Sequence, residues 1–346
     1  MTNQPWLVTG GCGFVGSNLT DALLSDGLDV TVLDNLSRHG SPVNLAWLRT
    51  RHGRDWRFVE GDVRDGDRLQ ALLRELRPAI VAHLAGQVAM TTSLADPRLD
   101  FEVNAAGTFN LLEAVRRGSP DCRVLYSSTN KVYGALEGVR VEERPTRYVL
   151  CDYPDGLDED LPLDGCSPYG CSKLAAEQYV RDYNRSFGLR TTVFRHSSMY
   201  GGRQFATFDQ GWIGWFCLKA IEMADPATRP FTISGNGKQV RDALHSDDLV
   251  RLYRIAAGDD AAVGRIFNVG GGAVNSLSLI ELFAALERLV GAPMRFDRLP
   301  WRPGDQRVFV SNNAKAIAAL GWTPRVSVGA GLTAMLSWAR EVSAGV

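Results

Sequence analysis

The run Trp6-Leu7-Val8-Thr9-Gly10-Gly11-Cys12-Gly13-Phe14-Val15-Gly16 carries the decision about the fold. Its first four residues read as a short buried strand. Val15, Leu19, Ala22 and Leu23 then repeat on one helical face until Gly27 ends the pattern. Between them, Gly10, Gly13 and Gly16 form Gly-x-x-Gly-x-x-Gly. Glycines there allow a tight turn and close backbone approach. The helix start, at Phe14 and Val15, offers free N–H groups and partial positive charge to a pyrophosphate. A second strand-like run, 29–33, leads to Asp34, 18 residues beyond Gly16. A carboxylate there accepts from both hydroxyls of an adenosine ribose and repels a 2′-phosphate. The reading therefore predicts NAD in preference to NADP, with Arg38 the nearby residue that argues the other way. Asn35 and the Asp62-Val63 pair complete the expected adenosine side, with Asp62 capping the adenine amino group. A turn-forming glycine cluster and a turn aspartate are the plain alternative.

Outward from this unit, strand-like and helix-like segments alternate. Buried strands are expected at 57–60, 79–84, 123–127 and 191–195, with helix faces at Leu69, Leu72, Leu73 and Leu76 and over 101–117. That alternation predicts an α/β fold: a Rossmann-type doubly wound parallel sheet with a smaller C-terminal α/β substrate-binding lobe. Residues 1–195 with roughly 243–273 are assigned to the cofactor side, and roughly 196–242 with 274–346 to the substrate side. Between them, 134–168 is long, polar and without a period, which suits a functional loop.

The chain has 346 residues, a formal net charge of −1 and 38 basic against 39 acidic side chains. That balance argues against a nucleic-acid or membrane-surface partner. Six cysteines, at 12, 122, 151, 166, 171 and 217, form no Cys-x-x-Cys pair or Cys/His cluster. No metal and no disulfide framework are expected, and a reducing cytoplasm is the expected location. The first strand begins too early for a cleaved signal, and no apolar run is long enough to span a bilayer.

Tyr169 and Lys173 stand four residues apart on a helix expected to begin at Ser167-Pro168, so they share a face. A cationic Lys, with a positive nicotinamide nearby, is expected to lower the phenol pKa and make Tyr169 an acid/base. A Tyr packed on a Lys stem is the plain alternative. Ser127-Ser128-Thr129 ends the fifth strand, where a doubly wound sheet opens toward its ligand, and Thr129 is the candidate to hold a reacting hydroxyl. His83 and His196 sit on buried strands and read as core histidines.

The glycine loop, Asp34, Thr129 and Tyr169-x-x-x-Lys173 together resemble the extended short-chain dehydrogenase/reductases that act on nucleotide sugars. The resemblance covers essentially the whole chain. Within that family, five strings resemble the branch that epimerises CDP-linked deoxyhexoses at C2. They are SSTNKVYG from Ser127, SPYGCSK from Ser167, FRHSSMYGGRQFA from Phe194, QGWIGWFC from Gln210 and ISGNGKQVRD from Ile233. The resemblance implies NAD-dependent C2 epimerisation by transient oxidation and re-reduction, with Thr129, Tyr169 and Lys173 catalytic. Leu84, Ala85 and Gly86 would line the cofactor. Gln87, Thr129, Asn130, Lys131, Arg203, Gln204, Arg241 and Arg307 would meet a nucleotide sugar, CDP-hexose favoured. Relatives that eliminate water carry an Asp-Glu pair after the strand-five Thr. Asn130 and Lys131 stand there instead, which disfavours dehydration. A nucleotide-sugar 4-epimerase, or a non-catalytic NAD-binding regulator, remains the alternative. A homodimer or homotetramer built from helices near 101–117 and 168–187 is implied by the resemblance alone.

Overall fold

The computed structural model describes residues 4–302 and 304–345. Its centre is a seven-stranded, wholly parallel sheet: β1 (Trp6–Thr9), β2 (Val30–Asp34), β3 (Arg57–Glu60), β4 (Ile80–His83), β5 (Arg123–Thr129), β6 (Arg190–His196) and β7 (Ile266–Val269). The spatial order is β7-β6-β5-β4-β1-β2-β3. The predicted doubly wound sheet is therefore present. Apart from the edge strand β3, its strands are almost entirely buried because helices cover both faces. One buried cluster, with Val8, Leu19, Val32, Phe194 and Trp322, fills one face, and another, with Leu7, Leu72, Val81, Leu111 and Val124, fills the other.

The strand order reverses between β1 and β4, and the carboxyl ends of β1, β2, β4 and β5 open around that point. A sheet of this kind binds its ligands there. A second, smaller core joins Tyr200, Ile213, Phe216, Ile233, Leu282, Phe283 and Leu336 beside the opening. Among the described residues no helix is long and apolar enough to cross a membrane.

Two segments differ from the sequence expectation. The helix expected over 101–117 is a Pro97–Phe101 turn, a wide i→i+5 turn at Glu102–Ala106 and a helix Gly107–Gly118. The stretch 134–168 contains an antiparallel pair, Val141–Glu143 with Tyr148–Leu150, and is pinned by a bridge from Leu157 to Ser311. Its order comes from contacts far away in sequence, which leave no local period.

Candidate active site

β1 delivers the chain into Gly10, whose φ of +69° lies in the region glycine tolerates. A Cβ at Gly10 would lie 2.6 Å from the Ala85 nitrogen, and one at Gly16 would lie 2.0 Å from the Gly10 carbonyl oxygen. The turn is as tight as the glycine spacing implied. The helix Phe14–Ser25 that follows has no side-chain cap and no acidic residue in its first turn. Its free N–H groups face a cavity of about 420 Å³ lined by Gly10, Gly13, Phe14, Val15, Gly16, Asp34, Asn35, Asp62, Val63, Leu84, Ala85 and Gly86. Every residue expected on the adenosine and pyrophosphate side thus lines one cleft. An uncapped helix start beside a glycine cradle fits a dinucleotide pyrophosphate.

Asp34 ends β2 nearly buried. Its two oxygens accept from the Cys12 and Leu36 amides at 2.9 and 2.8 Å, each keeping a lone pair. Burial pushes its carboxyl up, and those amides oppose it. Asp62 is less free than the sequence implied. Arg64 grips it at 2.9 and 3.0 Å and Asn35 donates to it at 2.8 Å, which holds its carboxyl down at about 2.

Ser127 also lines the cleft, and its carbonyl accepts from Lys173 Nζ at 2.5 Å. This contact joins the cleft to the Tyr169–Lys173 helix, Ser167–Phe187. The Lys173 ammonium also lies 4.3 Å from the centre of the Tyr126 ring. Burial pulls Lys173 down to about 7 while Glu177 and Asp100 push it up. Burial pushes the Tyr169 phenol up to about 12. The Thr129 hydroxyl opposes that rise and Asp100 adds to it. The expected lowering of the phenol is therefore not met by the protein alone, because desolvation outweighs the charges that reach it. Thr129 is buried and caps the short turn at Asn130–Tyr133 by accepting from the Lys131 amide at 3.2 Å.

The residues expected on the substrate side divide. Lys131 and Arg241 converge on Asp305 at 3.9 and 2.7 Å. Burial, and then the Arg241 charge, pull Lys131 down to about 8, with Asp305 opposing. Asn130 is buried and donates to Gln306 Oε1 at 3.1 Å. Gln87 lines the cleft, but its amide donates to Ala89 and Asp100 at 2.8 and 2.7 Å. Arg203 also lines the cleft, with its guanidinium held between the Trp47 and Trp338 rings at 4.2 and 4.3 Å. Gln204 is buried, donates to the Met199 carbonyl at 3.2 Å and leaves Oε1 unpartnered. Arg307 lies apart and exposed, 5.6 Å from the Tyr148 ring centre. Two residues escaped the sequence reading. Arg302 donates to Ser234 at 3.1 Å and stacks 5.4 Å from the exposed Phe208 ring; its only signal was the neighbouring Gly304-Asp305 string. Asp100 had no signal, being one acid in a helical pattern. His83 and His196 are buried on β4 and β6 and bonded to Thr9, Thr108 and Tyr253, as core histidines are.

The sequence profile of the family described as GDP-mannose 4,6 dehydratase matches residues 7–335. The chain belongs to this family of extended short-chain dehydrogenase/reductases. It is 54% identical to the CDP-paratose 2-epimerase of Salmonella typhi, covering 97% of this chain and 99% of that protein. It is 34% identical to the UDP-glucose 4-epimerase of Mycolicibacterium smegmatis, over 97% and 99% of the two chains. The solved UDP-glucose 4-epimerase of Thermus thermophilus in complex with NAD superposes with a TM-score of 0.79 at 30% identity, covering 97% of this chain and 99% of that one.

Proposed function

We propose that this chain is a nucleotide-sugar 2-epimerase that inverts C2 of a CDP-linked deoxyhexose with bound NAD. The observation that carries the reading is the 54% identity to CDP-paratose 2-epimerase across 97% of the chain. It is supported by the Tyr169–Lys173 pair on one helix and by Asn130 and Lys131, which stand where water-eliminating relatives carry acids.

Residues 1–195 with roughly 243–273 hold the cofactor in this proposal, and 196–242 with 274–346 hold the nucleotide. Gly10, Gly13, Gly16 and Asp34 are the residues that hold NAD. When bound, NAD would supply a reversible acceptor for the C2 hydrogen with its electron pair, and a positive ring beside the phenol. Tyr169 removes the C2 hydroxyl proton and gives it back after the ketosugar has turned its other face. Thr129 orients the reacting oxygen. Lys173 contributes positive charge beside the phenol. Lys131 and Arg241 form the basic group suited to a diphosphate. An unoxidised C2–H is not acidic, so direct deprotonation at carbon is not available to these residues.

The 34% identity to a UDP-glucose 4-epimerase favours C4 inversion as the second reading. A non-catalytic regulator would need no acid/base pair. Product analysis by NMR with CDP-paratose and with UDP-glucose separates these. CDP-paratose deuterated at C2 is expected to give an epimer that keeps its deuterium in ordinary water. Loss of deuterium to solvent overturns the oxidation mechanism, and inversion of UDP-glucose alone overturns the C2 assignment.

A further inference from the structure

Asp100 has no solvent exposure and lies in the Pro97–Phe101 turn, which packs on the helix bearing Tyr169 and Lys173. The Ser172 hydroxyl donates to its Oδ2. Gln87 Nε2 and Asn104 Nδ2 donate to Oδ1 at 2.7 and 3.3 Å. Three donors converge and nothing is donated back, the arrangement of an ionised carboxylate. All three partners are neutral, and no ion pair among the described residues includes Asp100. A buried carboxylate of this kind requires a compensating charge nearby.

The groups around Lys173 identify that charge. Tyr169 and Glu177 share its helix, the Tyr126 ring and Ser127 carbonyl face it from β5, and the neutral His83 and His196 feel its field from β4 and β6. Glu177 is already neutralised, because the Arg195 guanidinium meets it at 2.6 Å with both side chains buried. Asp100, bonded to the hydroxyl of Ser172 directly before Lys173 on that helix, is the other carboxylate whose field reaches it.

We propose that Asp100 is a positioning residue for the acid/base pair: its negative charge holds Lys173 as the ammonium ion, and its oxygens tie Ser172 of that helix to Gln87 beyond β4. The proposal rests on Tyr169 and Lys173 acting as inferred above. The same charge also keeps the proton on Tyr169, so its removal lets both groups give up protons at lower pH.

Asp100→Asn is nearly isosteric, and its amide can donate to the Ser172 hydroxyl. Both limbs of kcat/KM against pH are expected to move down together by about one pH unit. Asp100→Glu restores them. Limbs that stay in place while the whole profile drops would show a structural role and overturn the proposal. Ser172→Ala removes a hydrogen bond but keeps the charge, so it must leave the limbs where the wild type has them; a shift there also overturns it. Phenolate absorbance, taken as the difference between each protein and its Tyr169→Phe counterpart, follows Tyr169 without turnover. A lower midpoint in Asp100→Asn supports the charge role and an unmoved one refutes it. This readout holds even if Tyr169→Phe stays active and the epimerase reading fails.

Discussion

Tyr169→Phe removes one oxygen and keeps the ring in its half-buried seat, so it isolates proton transfer from packing. A positioned acid/base contributes about 10²–10⁴-fold. Turnover of the variant is expected to fall by that factor while thermal stability and cofactor content stay near those of the wild type. A variant with near-normal kcat would remove Tyr169 from the chemistry. The core histidines give a second residue-scale effect. Burial, and then the Lys173 charge, hold His83 and His196 at about 3, against an ordinary 6.5. Between those values the unfolded chain takes up protons that the native state refuses. Stability present above about pH 6.5 is therefore lost progressively as pH falls toward 3. His196→Phe keeps an aromatic ring beside Phe194 and Tyr253 and removes one of the two titrations. Its melting temperature should fall less steeply across that window; an equal slope would place the acid sensitivity in the carboxylates instead.

The glycine turn between β1 and the Phe14–Ser25 helix is the element with least room. Gly16→Ala puts a Cβ 2.0 Å from the Gly10 oxygen and 2.6 Å from the Gly11 Cα, both backbone atoms of the same turn. Overpacking of this kind costs roughly 1–3 kcal/mol. The variant is expected to melt lower and to retain less dinucleotide after purification, and unchanged cofactor content would show that the turn can open without consequence. This element was legible from sequence because its backbone demands glycine at fixed positions. Asp34 was legible for a similar reason, as a residue type demanded at a strand end. Tyr169 and Lys173 were legible because helical spacing puts them on one face. What stayed hidden depends on partners distant in the chain. The wide turn at Glu102–Ala106 presents Asn104 to Gln87 and Ser172, 17 and 68 residues away. The Arg203 side chain is held by Trp47 and Trp338, from helices at opposite ends of the sequence. Neither arrangement leaves a periodic or compositional trace. Nothing local in the sequence shows that the Gln87 amide donates to Asp100, 13 residues away.

On the surface of the whole molecule, the helices Gly107–Gly118 and Ser167–Phe187 expose a joined set of aromatic rings. Phe109 and Tyr179 meet edge to face at 5.4 Å and remain 40% and 47% exposed, and Phe187, 4.9 Å from Tyr183, is 52% exposed. Phe101, 57% exposed, ends the neighbouring Pro97–Phe101 turn. Contiguous apolar surface of this kind marks an association site in a water-exposed protein. A net charge of −1 supplies little repulsion between copies. We propose that two copies pair through these helices, as a homodimer or as the dimer unit of a homotetramer. A two-fold interface is self-complementary, so the same rings would face each other across the axis. The face backs the helix that carries Tyr169 and Lys173, which couples assembly to the order of the site. Light scattering on the eluting protein should give two or four times the chain mass of 37.9 kDa. Phe109→Arg places a charge in the centre of the patch and is expected to yield single chains with a lower melting temperature and reduced turnover. A wild type that elutes as single chains at micromolar concentration would overturn the pairing. A Phe109→Arg protein that stays assembled would move the interface to another face.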